Sequence, residues 1–409
     1  MSPDVSRFAR TNHRNSRRPF GIKQLDRLSH MYVIGKTGVG KSTLLETLAR
    51  QDMDAGRGFA LVDPHGDLVE KLASECASDP RVVHVNAPDP QQPYGYNPLR
   101  RVRDDKIPLA VSGMLETLKK LWPDAWGVRM EHILRNSLYA LLERDDSTLP
   151  DILALYSDED FRNEVAKDIR NAVVKQFWTE EFENYPARLR AEMVAPIQNK
   201  VGALLADPTL YRILVNPKRD LRFRQIMDAG QVLLINVSKG RLGEDASLLL
   251  GSLIVSTIGL AAFSRAEETE TTRRPFFLYL DEFHNFTTLM LANMMSELRK
   301  YGVGLTLAHQ YLHQLEPDIR HAVLGNAGTV ISFRVGPEDA LVLGREFEPQ
   351  FTASDLLSLP NRSCYLKLMI GGEPSPAFSA DTIAMSQGSE RSAAVLNTSR
   401  KSKNPNTFK

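Results

Sequence analysis

Residues 35–45 read GKTGVGKSTLL and follow the short apolar run Met31–Ile34. The spacing of Gly35, Gly40, Lys41 and Ser42 is G-x-x-x-x-G-K-[ST], in which the glycines allow a loop whose backbone N–H groups point at phosphate oxygens. Good helix formers come next, so the loop opens a helix whose positive end faces the anion. This pattern predicts a phosphate site formed by Gly35, Lys36, Thr37, Gly38, Val39, Gly40, Lys41, Ser42 and Thr43.

Two carboxylates, Asp281 and Glu282, directly follow the apolar run Phe276–Leu280. A buried strand that ends there delivers both to the carboxyl edge of an open α/β sheet, where ligands bind. We expect Lys41 to reach the terminal phosphates, Ser42 and Asp281 to hold Mg²⁺, and Glu282 to take a proton from the attacking water. Taken alone, the acidic pair could cap an exposed helix. Together with the phosphate loop, it predicts hydrolysis of a nucleotide.

Two further polar residues lie in the stretch SELRKYGVGLTLAHQYLHQL, which predicts a helix followed by a strand. Gln310 comes just past the strand's end, where an amide can sense the terminal phosphate and position the water. Arg299 lies on the preceding helix, from which it could supply positive charge to the transition state of a neighbouring subunit. A solvated surface arginine is an equal alternative for Arg299.

Short apolar runs bounded by turn residues predict strands at residues 31–34, 58–62, 82–86, 231–237, 276–280, 304–308 and 329–334, with a hairpin around Gly371 and Gly372. Several alternate with helical patterns, as in a mainly parallel α/β sheet. Residues 106–220 instead show four-residue periodicity with almost no strand signal. We interpret this interval as an all-α domain inserted into the sheet, which explains why Lys41 and Asp281 lie about 240 residues apart.

The expected division of the chain has five parts. These are a basic, flexible N-terminal arm (1–22), the first part of the nucleotide-binding domain (23–105), the inserted all-α domain (106–220), the second part of the nucleotide-binding domain (221–382) and a disordered C-terminal tail (383–409). The arm contains Arg7, Arg10, Arg14, Arg17 and Arg18 among Asn, Ser and Pro, without periodicity. The arm could be a solvated tail, or it could contact DNA or a partner protein.

Composition narrows the class of protein. A length of 409 residues is enough for two or three domains, and a net charge of +1 gives no global attraction to nucleic acid. The two cysteines indicate a reducing compartment rather than a disulfide framework. The uncharged run 246–264 approaches the length that a bilayer requires. Its serines and glycines, and its position between two strands of the site, favour a buried helix.

Together these motifs resemble the HerA/FtsK superfamily of hexameric P-loop ATPases and, within it, the cytoplasmic motor of conjugative coupling proteins of type IV secretion. The resemblance runs from Phe20 to about Thr382 and is carried by FGIKQLDRLSHMYVIGKTGVGKSTLL, GFALVDPHGDLVE, INVSKGRLGE, FFLYLDEFHNF, LRKYGVGLTLAHQYLHQL and GNAGTVISFRVGPEDALVL. It implies a RecA-like P-loop fold with an inserted all-α domain, ATP and Mg²⁺ as cofactors, and a ring of six subunits with DNA in the central channel.

Carried over by position, the resemblance gives roles to single residues. Lys41 and Ser42 become nucleotide and Mg²⁺ ligands, Asp281 and Glu282 the hydrolytic carboxylates, Gln310 the sensor and Arg299 the candidate arginine that acts in trans. Lys239 and Arg241 of VSKGRLG could meet DNA phosphates, or lie in a plain surface loop. For Asp63 and Asp67 of DPHGD, capping the next helix is the simplest role.

Coupling proteins typically begin with membrane helices, whereas this sequence starts almost directly at the motor. We therefore expect no integral membrane segment and a cytoplasmic location, with partners such as a relaxase or secretion-machinery proteins able to bring it to the inner membrane. The predicted function is ATP-driven DNA translocation through sequence-independent, salt-sensitive contacts. The alternative is an ATPase that remodels or assembles protein partners without DNA in its pore.

Overall fold

One large sheet organises the chain. The structure, a computed structural model, describes residues 4–13 and 16–384. Its strands are β1 Val5–Thr11, β2 Pro19–Lys23, β3 Met31–Ile34, β4 Gly58–Asp63, β5 Val82–Asn86, β6 Tyr94–Gly95, β7 Arg219–Asp220, β8 Val232–Asn236, β9 Phe276–Leu280, β10 Val303–His309, β11 Thr329–Ser332, β12 Ser363–Lys367, β13 Met369–Ile370, β14 Glu373–Pro374 and β15 Phe378–Thr382. Within the described residues, eleven of them form one sheet in the order β2-β1-β15-β12-β11-β3-β10-β9-β4-β8-β5.

The sheet is mainly parallel, as expected. All strands from β11 to β5 in that order run parallel, whereas β12, β15, β1 and β2 pair antiparallel at one side. The predicted strands are confirmed, and so is the hairpin, whose tip is Gly371 and Gly372 between β13 and β14. In register, Ile34 of β3 lies opposite His309 of β10 and Ser332 of β11, so these strands end together at one edge.

Helices cover both faces of the sheet. They are α1 Gln24–Arg27, α2 Lys41–Asp54, α3 Asp67–Glu75, α4 Ile107–Leu121, α5 Val128–Leu142, α6 Leu149–Ser157, α7 Glu159–Asp168, α8 Ala172–Gln176, α9 Ala187–Ala206, α10 Pro208–Leu214, α11 Phe223–Ala229, α12 Lys239–Leu242, α13 Glu244–Phe263, α14 Leu289–Glu297, α15 Pro317–Asn326, α16 Pro337–Phe347 and α17 Ala353–Leu357. Side chains alternate along each strand. Tyr32 and Ile34 therefore pack with α4, α13 and α14, while Met31 and Val33 pack with α2 and α3.

Residues 107–214 are helical, and the chain enters and leaves this segment at one place. Tyr94 of β6 pairs with Arg219 of β7, and Arg100 forms an ion pair with Asp220. The first helix of the segment, α4, packs against α13 and α14 as well as against α5. It thus contacts both the nucleotide-binding part and the rest of the helical segment. The division of the chain at residues 106 and 220 stays a prediction.

The expectation of an N-terminal arm without regular structure is wrong for β1 and β2. Phe8 of β1 is fully buried, and its ring contacts Phe20, which in turn contacts Phe378, both in edge-to-face geometry. Arg7 beside Phe8 is exposed, whereas Arg10 on the same strand is half-buried, so a basic composition is compatible here with strands that extend the sheet. A register shift between Arg7 and Ala9 breaks the alternation that would have revealed the strand. Of the expected C-terminal tail, residues 385–409 lie outside the described residues.

The apolar run 246–264 forms most of α13, as predicted. The segment Glu244–Glu267 contains a stretch that is long and apolar enough to cross a membrane, with a mean hydropathy of 2.0, but 72% of that stretch is buried inside the fold. Gly251 and Gly259 lie directly under the side chains of Phe286 and Met294, so that α13 is closely covered. These contacts are those of a core helix.

Candidate functional site

The phosphate loop connects β3 to α2 at the carboxyl edge of the sheet. Gly38 and Gly40 have φ angles of 77° and 121°, which favour glycine over residues with a side chain. Lys41 is 6% exposed, and its Nζ donates to the carbonyl oxygens of Gly35 at 2.7 Å and Lys36 at 3.2 Å. Burial lowers the pKa of Lys41, while the nearby carboxylates of Glu282 and Asp281 act in the opposite direction. The ammonium therefore lies inside the loop that should hold the phosphates.

The carboxylates arrive on β9, which lies between β10 and β4. Asp281 is 4% exposed, and its Oδ2 lies 3.4 Å from Ser42 Oγ. Burial first, then the charges of Asp63 and Glu282, raise the pKa of Asp281 to about 6. A hydroxyl and a carboxylate oxygen this close are the hard ligands that Mg²⁺ uses beside phosphates and water. In the described parts of the chain no group of three or more His, Cys, Asp or Glu could hold a metal ion, so protein ligands alone would not complete such a site.

Glu282 and Gln310 are brought together over the loop. The Nε2 of Gln310 donates to Glu282 Oε1 at 2.7 Å, and its Oε1 accepts from Thr37 Oγ1 at 2.8 Å. Among the described residues Glu282 Oε2 has no hydrogen-bond partner, although it is buried. The Nδ1 of His284 lies 3.5 Å from this oxygen. One amide thus joins the phosphate loop to a carboxylate whose second oxygen is free to accept a proton.

These side chains line one cavity of about 360 Å³. Its lining is Thr37, Gly38, Gly40, Lys41, Ser42, Thr43, His65, Asp281, Glu282, Gln310, Asn361 and Arg362. Sequence reasoning missed three of them, namely His65, Asn361 and Arg362. Arg362 precedes β12, has a φ of 70°, and donates its backbone N–H to the carbonyl of Val39 at 2.8 Å. Asn361 is held by Arg334, which donates to its Oδ1 at 2.9 Å. Nothing in the local sequence NRS distinguishes them from any surface turn.

Arg299 is not part of the cavity in its own chain. It is exposed and lies just before the amino end of β10, whereas Gln310 follows the carboxyl end of that strand. A strand of seven residues separates the two by about 23 Å. Any action of Arg299 on a nucleotide must therefore be on that of another subunit.

The remaining candidates lie next to the site. Asp63 accepts from the backbone N–H groups of His65 at 2.8 Å and Leu68 at 2.9 Å, so the simpler prediction, that it caps the start of α3, is confirmed. Lys239 Nζ donates to Asn285 Oδ1 at 2.5 Å, directly behind the carboxylate pair. Arg241 is half exposed and forms an ion pair with the outer face of α3.

Comparisons with known proteins identify the family and the fold of this chain. A family model described as the type IV secretion-system coupling protein DNA-binding domain matches residues 21–342. The bacterial conjugative coupling protein TrwBdeltaN70, in its unbound monoclinic form, is 16% identical with a TM-score of 0.68, over 90% of this chain and 88% of that one. The plasmid coupling protein TrwB in complex with ADP and Mg²⁺ is 16% identical with a TM-score of 0.65, over 91% and 88%.

VirB4 of Thermoanaerobacter pseudethanolicus is 15% identical with a TM-score of 0.61, over 94% of this chain and 97% of that one. The search of curated protein sequences gave no match. The structural likenesses establish the RecA-like P-loop fold that the resemblance implied. Since the family model covers more than half of the sequence, the chain belongs to the family of type IV secretion-system coupling proteins.

Proposed function

We propose that this protein hydrolyses ATP and uses the energy to move DNA in conjugation or another mobile-element transfer. The observation that carries the hydrolytic part is the convergence of Lys41, Asp281, Glu282 and Gln310 on one cavity. Their residue types match the needs of phosphoryl transfer to water, which requires charge neutralisation, a metal and a group that orients the nucleophile. The DNA part is supported by membership in a family described as DNA-binding.

In the proposed reaction the loop binds the triphosphate and Lys41 turns from the loop carbonyls to the terminal phosphates. Ser42 and Asp281 would hold Mg²⁺, which when bound would supply charge neutralisation for the triphosphate. The free oxygen of Glu282 accepts a proton from water, while Gln310 fixes the other oxygen and senses the terminal phosphate.

We further propose a ring of six subunits, with Arg299 acting on the nucleotide of a neighbour and Lys239 or Arg241 contacting DNA phosphates. The exposure of Arg299 at the amino edge of the sheet supports a role between subunits. The low net charge of +1 supports contacts by loops rather than by a globally basic surface. A relaxase or secretion-machinery protein would be the partner that delivers the DNA and recruits the motor to the inner membrane.

The test is ATP turnover with and without DNA across a salt series. We expect DNA to stimulate turnover at low salt and the stimulation to fall steeply as salt rises, because phosphate contacts release counterions. If turnover is intact but DNA has no effect at any salt concentration, the protein-remodelling function replaces this one. If there is no turnover and no nucleotide binding, the hydrolytic proposal is wrong.

A further inference from the structure

Helix α4 contacts the turn that follows Glu282, although about 160 residues separate them in sequence. The Nζ of Lys120 lies 2.8 Å from the carbonyl oxygen of His284, 3.1 Å from that of Asn285 and 3.0 Å from that of Thr287. Thr287 Oγ1 is a fourth acceptor at 2.9 Å. One lysine from the helical segment therefore binds the whole turn that begins after the carboxylate pair.

Two further contacts come from the same face of α4. One turn before Lys120, Glu116 Oε2 accepts from the backbone N–H of Met290 at 2.8 Å. Another turn back, Gly113 lies close under the sulfur of Met290, where a side chain would collide. The spacing of three and four residues places all three on one stripe. Helix α4 is thus fixed along the segment 284–290 at three successive positions.

The contacts of Lys120 are the kind that hold a turn in place. The carbonyl groups at the end of a short helical turn have no partners within that turn, and a cation there is favoured. Lys120 is partly buried, and burial lowers its pKa to about 8, with Glu316 acting to raise it and Lys239 to lower it further. A buried ammonium is costly unless acceptors surround it. The carbonyl oxygens and the lysine therefore stabilise one another in a single geometry.

The same turn, residues 283–287, fixes the backbone of Glu282. The backbone of Glu282 has a φ of 43°, which is unfavourable for a residue with a side chain and persists only where neighbours impose it. Asn285, which is 7% exposed, imposes it by donating from Nδ2 to the carbonyl oxygen of Glu282 at 2.7 Å. Because Lys120 binds the main chain of Asn285, a continuous series of contacts leads from α4 to the carboxylate.

We propose that Lys120 is a positioning residue for Glu282, so that the helical segment, through α4, sets the rate of hydrolysis. This inference rests on the proposed hydrolytic role of Glu282. Without Lys120 the turn 283–287 loses the cation that gathers its carbonyls, and Asn285 no longer fixes the backbone of Glu282. A displacement of a catalytic group by about 1 Å costs up to about a hundredfold in rate.

The experiment compares Lys120→Met with Lys119→Met in the full chain. Lys119 is the adjacent, exposed lysine on the same helix, so the two variants lose the same charge at almost the same place. We expect Lys120→Met to lower kcat between about tenfold and a hundredfold. Its KM for ATP and its affinity for a fluorescent ADP analogue should stay within about twofold of the wild type, since the phosphate loop is untouched. Lys119→Met should retain the wild-type kcat.

Asn285→Ala tests the same series of contacts without removing a buried charge, in case Lys120→Met does not fold. It should show the same fall in kcat with unchanged nucleotide affinity, and Lys120→Met combined with Asn285→Ala should lose little more than the worse single variant. A wild-type kcat in either folded single variant, or effects on kcat that multiply, would overturn the proposal. Failure of the proposed function is distinguishable, because the wild-type protein would then show no turnover to lose.

Discussion

Glu282→Gln is the most direct test of the site because it removes one charge and leaves the shape. Oε1 of Glu282 accepts from Gln310 at 2.7 Å, and an amide oxygen can accept the same bond. Oε2, the oxygen that would take the proton from water, becomes an NH₂ group that cannot. General base catalysis contributes about 10²–10⁴-fold, so we expect kcat to fall by that factor, which is about 3–5 kcal/mol in the activation barrier.

The affinity of Glu282→Gln for nucleotide should not fall with kcat. The charge of Glu282 is one of the causes that raise the pKa of Asp281, after burial and Asp63. Glutamine removes that repulsion, so the pKa of Asp281 falls and its carboxylate is ionised at lower pH, where it can ligate Mg²⁺. The variant should therefore bind ATP with Mg²⁺ at least as tightly as the wild type, and the pH midpoint of that binding should move below its wild-type value.

Single-turnover hydrolysis and equilibrium binding of a fluorescent ATP analogue, measured on the same preparation, separate these effects. Glu346→Gln is a suitable control because Glu346 is partly exposed on α16 and pairs with Lys367 rather than with the site. If Glu282→Gln hydrolyses ATP at the wild-type rate, Glu282 is not the base. If it fails to bind ATP while remaining folded, the carboxylate supports the loop rather than the reaction, and the reasoning is refuted.

Three other predictions concern separate parts of the molecule. Asp52→Ala should destabilise the fold by about 3–5 kcal/mol in denaturant unfolding, because it leaves the fully buried Arg27 unpaired, and a loss below about 1 kcal/mol would contradict this. The raised pKa of Asp281, about 6, means that the folded state binds a proton more readily than the unfolded one, so the free energy of unfolding without Mg²⁺ should fall as pH rises from about 4 to 6, whereas Mg²⁺ affinity should rise over the same window. A free energy of unfolding and a Mg²⁺ affinity that both stay constant between pH 4 and 6 would refute this. Arg299→Ala should lose turnover and regain part of it when mixed with Glu282→Gln subunits. Normal turnover of Arg299→Ala alone would contradict the proposal that Arg299 acts on a neighbouring subunit.

The residues on which the phosphate loop and the carboxylate strand depend could be found in the sequence because their signals are local. A glycine-rich loop between an apolar run and a helical pattern can be recognised without knowing any tertiary contact. The same holds for an apolar strand that ends in Asp281 and Glu282. Gln310 could be placed beside them because parallel strands end at one edge. The fold class followed from the same alternation of strands and helices.

The features that were missed are those created by contacts between distant segments. Arg362 and Asn361 reach the cavity because β12 turns back antiparallel beside β11, and no pattern near residue 361 indicates this. Lys120 looks like an ordinary solvated lysine at the end of an amphipathic helix, and its acceptors belong to a turn that the sequence places far away. β1 was missed because its apolar alternation is short and broken by a register shift beside Arg7.

The hydrogen bonds within the site indicate how phosphate binding and hydrolysis could be linked. Lys41 is bonded to neutral carbonyls of its own loop, and a charged phosphate oxygen is a stronger acceptor for an ammonium. Thr37 donates to one end of the Gln310 amide while the other end holds Glu282. A terminal phosphate that competes for Thr37 releases the oxygen end of this amide without breaking its bond to the carboxylate. In the proposed reaction Gln310 and Glu282 would therefore respond together to the phosphate, and the position of Glu282 would depend on occupancy of the loop.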